Sequence, residues 1–458
     1  MKKVKGLLTV SLIFAIVSTL AACSSGNNGG NKSLNNNSPA DTGKSGSENK
    51  ESVSNEKEPE EAAIDLGGRT IRIAAWWDER PQPEMKDELA RIDEVEKKYN
   101  VKFEFLNVPR EEYLSKFTTT VLAGEPFADI VWLGYNWALP AALNGQLLKA
   151  EEFTSPENDI NTSNEIIAKG EQILGADYSF IPVSAGGGGL AYNRDLFKKL
   201  GLPDLHEVVA QGEWTWDKML EIAKQATQDT NNDGKNDTWG LSGWTDEMGL
   251  FLIASNGGQI MDASAGKQTL DDPKTVEAFE FMNKIYNEDK VVKSKTGNFT
   301  DYSESGAFAD GDVAMAYAWD WMANQYTNFD FGLVPFPKGP QGKEFTYPSY
   351  ESSWFIPKGV KDPKIVYKLY EEIKTLPKLE DYPGQTWLEK MFKHQEDIDT
   401  LLSLAGKKAP QFYYAIDKYP YGNVVYETIK DRKSVSSTIE KYKQQAQDAI
   451  DTVYKQAK

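Results

Sequence analysis

The sequence predicts an α/β protein with doubly wound, mostly parallel sheets divided between two domains. Strand-like and helix-like patterns alternate through the first folded stretch. The chain beyond residue 66, of roughly 390 residues, is longer than one hydrophobic core usually serves. The predicted strands run into aromatic residues, which places a binding site at their ends.

The chain opens with Lys2, Lys3 and Lys5, an uncharged run from Leu7 to Leu20, and small residues at Ala21 and Ala22, the layout of an export signal. That run falls short of the roughly 20 residues a membrane-spanning helix needs, and no comparable run follows. Residues 1–22 are therefore expected to be a signal peptide. Cys23, the single cysteine, stands at the boundary. Leu20-Ala21-Ala22-Cys23 resembles the bacterial lipobox, which implies that Cys23 carries lipid and becomes the new amino terminus. One acyl chain binds a membrane only marginally; lipoproteins of this kind carry more than one. The implied location is extracytoplasmic, on the outer face of the cell membrane, with the lipid as the only membrane contact.

From Ser24 to about Glu60 the composition is Ser, Asn, Gly, Lys and Glu with almost no large apolar residue. Such a segment buries too little surface to offset its ordering entropy, so residues 23–66 are expected to form a flexible tether. The net charge of −18 and pI near 4.8 argue against a nucleic-acid partner, which needs a basic face, and against electrostatic adhesion to anionic lipid.

Thr70 to Ala75 reads as a strand. Met85, Leu89, Ile92, Val95 and Tyr99 then recur at helical spacing. Val101, Phe103 and Phe105 alternate as a second strand; Leu114, Phe117 and Val121 share a helix face; Ala128 to Leu133 is a short apolar strand. This βαβαβ order implies parallel pairing with helices on both faces, and ligands bind such sheets beyond the carboxyl ends of the strands. There the sequence has Trp76-Trp77-Asp78-Glu79 and Trp132-Leu133-Gly134-Tyr135. The first turn lacks the glycines that let a pyrophosphate approach the backbone, which disfavours a nucleotide.

Further along, Ile181-Pro182, the Gly186–Gly189 run and Leu190-Ala191-Tyr192-Asn193-Arg194-Asp195-Leu196-Phe197 are followed by Glu213-Trp214-Thr215-Trp216-Asp217-Lys218-Met219. Then come Ala307-Phe308-Ala309-Asp310-Gly311-Asp312-Val313-Ala314-Met315 and Phe331-Gly332-Leu333-Val334-Pro335-Phe336-Pro337. In this order the segments resemble those of the extracellular solute-binding proteins of bacterial sugar importers, the family that includes maltodextrin-binding proteins. Locally, Thr215 suits an N-cap and Asp217 a first-turn acid. The resemblance implies a two-lobed, type II periplasmic-binding-protein-like fold with crossings near 183–188, 346–352 and 406–412. Residues 67–184 and 347–408 would form lobe 1, and residues 185–346 and 409–458 lobe 2. Val435, Ile439, Tyr442, Ala446, Ile450 and Val453 predict a long closing helix. The implied activity is that of a monomer that captures a carbohydrate, an oligosaccharide in particular, and passes it to the permease subunits of an ABC importer.

A sugar site needs flat aromatic faces and orienting polar groups, and the chain has 12 Trp. The resemblance places an aromatic cleft residue after the Ala314-Met315 strand, within Trp319-Asp320-Trp321. With the strand ends, the candidate ligand residues are Trp76, Trp77, Asp78, Trp132, Tyr135, Trp244, Trp319, Asp320, Trp321 and Tyr350. Trp137, Trp214, Trp216, Trp239, Trp354 and Trp387 are expected in the core. The Gly186–Gly189 run lacks a P-loop continuation and suits hinge freedom. Asp229, Asn231, Asp233, Lys235 through its carbonyl, and Asp237 have the spacing of the front of an EF-hand loop, with Gly234 at position 6. Position 12 is Gly240, so the bidentate glutamate is missing. A structural calcium ion and a metal-free Asx-rich turn are the two readings of this loop. The rival activity is a carbohydrate-active enzyme using Asp78, Glu79 and Asp320 as carboxylates. With only His206 and His394, both in polar surroundings, a Ser-His-Asp triad or zinc centre has little support. A peptide or metal receptor on the same fold is a third reading.

Overall fold

The computed structural model describes residues 64–83, 85–154, 178–180, 187–349, 352–374, 385–404 and 407–456. Cys23, Tyr350 and residues 183–186 of the first expected crossing lie outside the described residues.

The predicted βαβαβ unit is present. Strand β1 (Arg69–Ala75) is followed by α1 (Lys86–Tyr99), β2 (Val101–Asn107), α2 (Arg110–Leu122), β3 (Ile130–Gly134) and α3 (Tyr135–Leu143). β1 pairs in parallel with both β2 and β3. Helix α1 stops at Asn100, which takes a left-handed conformation at φ 49°, a geometry asparagine tolerates better than most residues. Period-two alternation along each strand divides the side chains between two helix layers. Ile71, Ile73 and Ile130 face one layer with Val95 and Tyr99 of α1, whereas Ala74, Val131 and Leu133 face the other with Tyr113 and Phe117 of α2.

The sheet is not wholly parallel. Its order is completed by β4 (Ser179–Phe180) and by a strand from far along the chain, Ser352–Phe355, which runs antiparallel to both β3 and β4. Between these lie β5 (Gly188–Asn193), α4 (Arg194–Leu200), α5 (Leu205–Ala210), α6 (Trp216–Ala226), β6 (Trp239–Ser242), α7 (Thr245–Ser255), the hairpin β7 (Met261–Asp262) with β8 (Lys267–Gln268), α8 (Pro273–Asn283) and β9 (Val292–Lys293). Strands β10 (Val313–Trp319) and β11 (Phe331–Val334) complete a second mixed sheet in the order β11-β5-β10-β6-β9. As expected, Thr215 caps α6 by accepting from Lys218 N. Trp216, Met219, Leu220 and Ala223 are buried along that helix. The stretch expected as a strand from Ala307 instead begins as a 3-10 turn, Tyr302–Asp310, which Gly311 ends at φ 86° before β10 starts.

Strand β12 (Tyr347–Ser349) precedes Ser352–Phe355, here β13, in the chain. β12 pairs in parallel with β14 (Lys408–Pro410), forming a small ladder of its own. Helix α9 (Pro363–Lys374) then packs in the first sheet's cluster through Val366 and Tyr370. The next two helices, α10 (Gln385–Met391) and α11 (Gln395–Ser403), were assigned to the first lobe from sequence, yet Leu388, Ile398 and Leu401 are buried in the second sheet's cluster. An amphipathic helix does not encode which sheet it will cover. Asp397 decides here: its buried Oδ1 accepts from Leu333 N of β11 (2.8 Å) and from Arg194 Nη2 (3.1 Å), and bonds to His206 Nε2 (2.9 Å). The expected closing helix is present as α13 (Val435–Gln456), preceded by α12 (Tyr421–Ile429).

Candidate functional site

A cavity of about 600 Å³ lies where the carboxyl ends of strands from both sheets meet. Trp76 follows β1, Asn136 and Trp137 follow β3, and Ser352 opens antiparallel β13, all at one edge of the first sheet. Trp244 follows β6 and Trp321 follows β10 at the edge of the second. Tyr302 and a run of tyrosines, Tyr413, Tyr414, Tyr419 and Tyr421, complete the aromatic wall. The polar groups of the lining include Arg110, Asp246 and Glu247.

Trp76 is held edge-on by Tyr113 and Trp137, at centroid separations of 5.7 and 5.4 Å. The Arg110 guanidinium lies 5.6 Å from the Trp76 ring and 5.9 Å from that of Trp137, and its Nη2 donates to the Tyr414 hydroxyl at 3.3 Å. On the opposite wall, Trp244 Nε1 donates to Thr300 O at 3.2 Å and its ring meets Tyr302 edge-on at 5.4 Å. Trp321 is 47 % exposed, so a flat ring faces open space at the cavity. Burial pushes the Asp246 carboxyl up to about 6, opposed by its hydrogen bond from Thr245.

The structure separates the sequence candidates. Trp76, Trp244 and Trp321 line the cavity. Trp77 and Trp132 do not: alternation turns both onto the α1 and α9 face, where they meet each other at 5.3 Å and pack against Trp354. Asp78 is exposed and accepts from Arg80 N. Trp319 is packed against the second core, donating Nε1 to Glu247 at 2.5 Å and so fixing a carboxylate of the lining. Asp320 is not among the lining residues. Its Oδ2 accepts from Gly187 N and its Oδ1 from Trp321 N, while its own N–H donates to Gly187 O. Burial raises the Asp320 carboxyl to about 6 despite those two donors. Tyr135 opens α3, but its side chain, like Tyr350, lies outside the described residues.

Glu79 is paired with Lys374 at 2.8 Å and accepts from Trp77 Nε1. Asp78, Glu79 and Asp320 are thus engaged with different partners, and none of the three is in the cavity lining. Trp137, expected in the core, lines the cavity, because the first turn of α3 carries it over the end of β3. Asp246, Glu247, Arg110 and the tyrosines of 413–421 were missed; the density of tyrosine in that short segment was the available signal. Gly188 and Gly189 belong to a strand rather than a free hinge. A Cβ at Gly188 would stand 2.8 Å from Phe251, and one at Gly189 2.5 Å from Val334 O, so close approach explains both.

In the 229–237 loop, Asp229 accepts from Asp233 N and Gly234 N, Asn231 from Asp233 N, and Asp233 from Lys235 N. These side-chain oxygens therefore turn into the loop around Gly234, at φ 86°, as the front of a calcium loop does. Asp237 turns back to accept from Thr230 N, Thr230 Oγ1 and Asn231 N, which hold its carboxyl below the usual range. Among the described residues, His206, Glu396 and Asp397 also bring ligand atoms within 4.8 Å of one another. Arg194 donates to both of those carboxylates, at 2.6 and 3.1 Å, and supplies the positive charge a cation would bring.

The profile of the bacterial extracellular solute-binding proteins matches residues 82–374. The chain belongs to that family. A binding protein of Brucella abortus is 25% identical over 270 residues, covering 56% of this chain and 62% of the relative's length. Mycobacterium tuberculosis UspC superposes with a TM-score of 0.60 at 18% identity, over 83% of this chain and all of that one. An ABC substrate-binding protein of Listeria monocytogenes, crystallised with cycloalternan, gives 0.59 at 17% identity over 85% and 98% of the two chains. The expected two-lobed type II architecture is therefore the fold of this chain. No helix among the described residues is long and apolar enough to cross a membrane.

The two raised carboxyls have a consequence for stability. A carboxyl whose folded pKa lies above its unfolded value stabilises fully below the unfolded pKa, and that contribution is lost as pH rises through the folded one. For Asp246 and Asp320, both near 6, the window lies between about pH 4 and 7. The melting temperature is expected to be higher at pH 5.5 than at pH 7.5. An Asp246→Asn/Asp320→Asn double variant should flatten that slope, and an unchanged slope in calorimetry would refute the assignment.

Proposed function

We propose that this protein captures a carbohydrate, an oligosaccharide in particular, in the cavity between its two sheets and delivers it to an ABC importer. The aromatic lining contributed by both sheets at their strand ends carries the proposal. Pyranose rings present C–H faces that pack on indole and phenol rings, and their hydroxyls need carboxylates and guanidinium groups for orientation. Trp76, Trp244 and Trp321 provide the faces, and Asp246, Glu247 and Arg110 the polar groups. A volume near 600 Å³ lies within the usual range for small-molecule sites, about 300–1,000 Å³. The family supports delivery to a transporter, and the Listeria protein's complex with cycloalternan supports a sugar.

Because the walls come from two sheets linked by the β12–β13 segment and the β12–β14 ladder, a bound solute contacts both lobes only when they are closed. Binding then shifts the population towards the closed form. We further propose that Cys23 is lipidated, which would keep a receptor of this kind beside its importer. The 229–237 loop is proposed as a weak calcium site held by Asp229, Asn231, Asp233, the Lys235 carbonyl and Asp237. With no acid at position 12, affinity in the extracellular range, Kd of about 10⁻⁴–10⁻³ M, is expected, and the ion would stiffen the second lobe.

Titration with a panel of α- and β-linked oligosaccharides, followed by tryptophan fluorescence and calorimetry, is expected to find a binder. Trp321→Ala should weaken that binding by about 10–100-fold, on the scale of a lost aromatic anchor, while leaving the melting temperature within a degree or two. Failure of every sugar to bind would overturn the reading. Calcium at 10 mM should raise the melting temperature by about 2–4 °C, reversibly with chelator, and an unchanged melt would exclude the metal. Cys23→Ser should release the protein from the membrane fraction; retention there would refute the anchor.

A further inference from the structure

The second-lobe wall of the cavity carries carboxylates. Asp246 and Glu247 are consecutive residues at the start of α7, and both line the cavity. Glu247 receives the indole N–H of Trp319. Among the described residues, the Asp246 carboxylate accepts only from the Thr245 hydroxyl at 3.4 Å, a long hydrogen bond, and makes no ion pair. Its Oδ2 faces Gly422, 3.6 Å from where a Cβ would stand, so backbone without a side chain borders that oxygen. Tyr421 secures the adjacent main chain by donating its hydroxyl to Asp246 O at 2.7 Å.

The cation of the lining, Arg110, is engaged elsewhere. Its guanidinium lies over Trp76 and Trp137 and donates to Tyr414. Removing a carboxylate from water without a partner is costly, and a cation beside an aromatic face in a desolvated site gains on both counts. Rings of Trp244, Tyr302, Trp321 and Tyr421 share the cavity with this carboxylate. A neutral sugar offers only hydroxyl donors there, whose hydrogen bonds to a carboxylate lack the Coulomb attraction of an ammonium group.

We propose that the solute is a carbohydrate bearing a protonated amino group, which sits against the Asp246 carboxylate within this aromatic wall. The inference rests on the carbohydrate-binding reading above and specifies its substrate class. Asp246 is then the specificity-determining residue, and Trp321 and Trp76 serve the sugar faces common to charged and neutral ligands. The chain's overall negative charge of −18 would also favour the approach of a cationic solute.

The experiment compares glucosamine, N-acetylglucosamine and glucose, each as monomer and as short β-linked oligomers of matched length, by calorimetry at pH 6.5 and two salt concentrations. The amino form is expected to bind about tenfold more tightly than its acetylated and neutral counterparts, or ~1.4 kcal/mol, with a preference that shrinks as salt rises. Asp246→Asn should bring the ratio of amino-sugar to neutral-sugar affinity to about one, whatever it does to the neutral affinity itself, and Asp246→Glu should restore part of that ratio. Equal or tighter binding of the neutral or acetylated sugars, or an undiminished preference in Asp246→Asn, would overturn this inference and leave the carbohydrate reading standing. If no member of the set binds while the wider oligosaccharide panel does, this inference also falls alone. If no sugar of either set binds, both fall together.

Discussion

The segment from Tyr347 to Phe355 is the constraint on which the rest of the architecture depends. Its first part pairs with Lys408–Pro410 and its second with β3 and β4. One short stretch of backbone is thereby committed to two sheets at once. Through Ser352, opposite Gly134, it also sets the edge at which the cavity opens. An antiparallel strand that returns from the second lobe to lie between β3 and β4 of the first fixes which strand ends can face each other. The site is a consequence of that registration, because no local segment supplies more than a few of its residues.

The aromatic content of the chain is shared between two jobs, and strand alternation allocates it. Consecutive indoles at Trp76 and Trp77, just past the end of β1, meet edge-on at 5.5 Å yet pack against different core clusters. One goes to the cavity with Trp137 and Arg110, and the other to a packed cluster with Trp132 and Trp354. Trp319 and Trp321 are divided in a similar way, the first buried against Phe251 at 5.3 Å and the second open at the cavity. In each pair one ring packs against a core cluster, close in sequence to the residue whose ring lines the cavity. Such support spares a binding site the entropic cost of ordering its own walls on each binding event.

Carboxylates follow the same economy of placement. Glu304, fully buried, accepts from Ser294 Oγ, Lys295 N, Thr296 N and Thr296 Oγ1. It thereby orders the loop whose Phe299 and Thr300 carbonyls receive Thr245 N and Trp244 Nε1. Asp397 ties α11 to β11 and to Arg194. Asp246, by contrast, is half-buried with little to satisfy it, and desolvation raises its carboxyl. Glu304 and Asp397 serve the framework, whereas Asp246 lies at the cavity.

The alternation of strand and helix, the cap at Thr215, the buried stripe of α6 and the length of α13 were legible in the sequence, because each depends on neighbours within a few residues. So was the general location of a site beyond strand ends rich in aromatics, and so was the family, through ordered segments spread along the chain. The sequence could not say that Trp77 and Trp132 turn into a core while Trp137 does not, since that depends on which face α1, α9 and α3 come to cover. Nor could it attach α10 and α11 to the second sheet, or bring Tyr413–Tyr421 opposite Trp76. Those pairings join positions hundreds of residues apart. Local pattern sets the elements and the chemical character of their ends, and only long-range packing decides which of those ends meet.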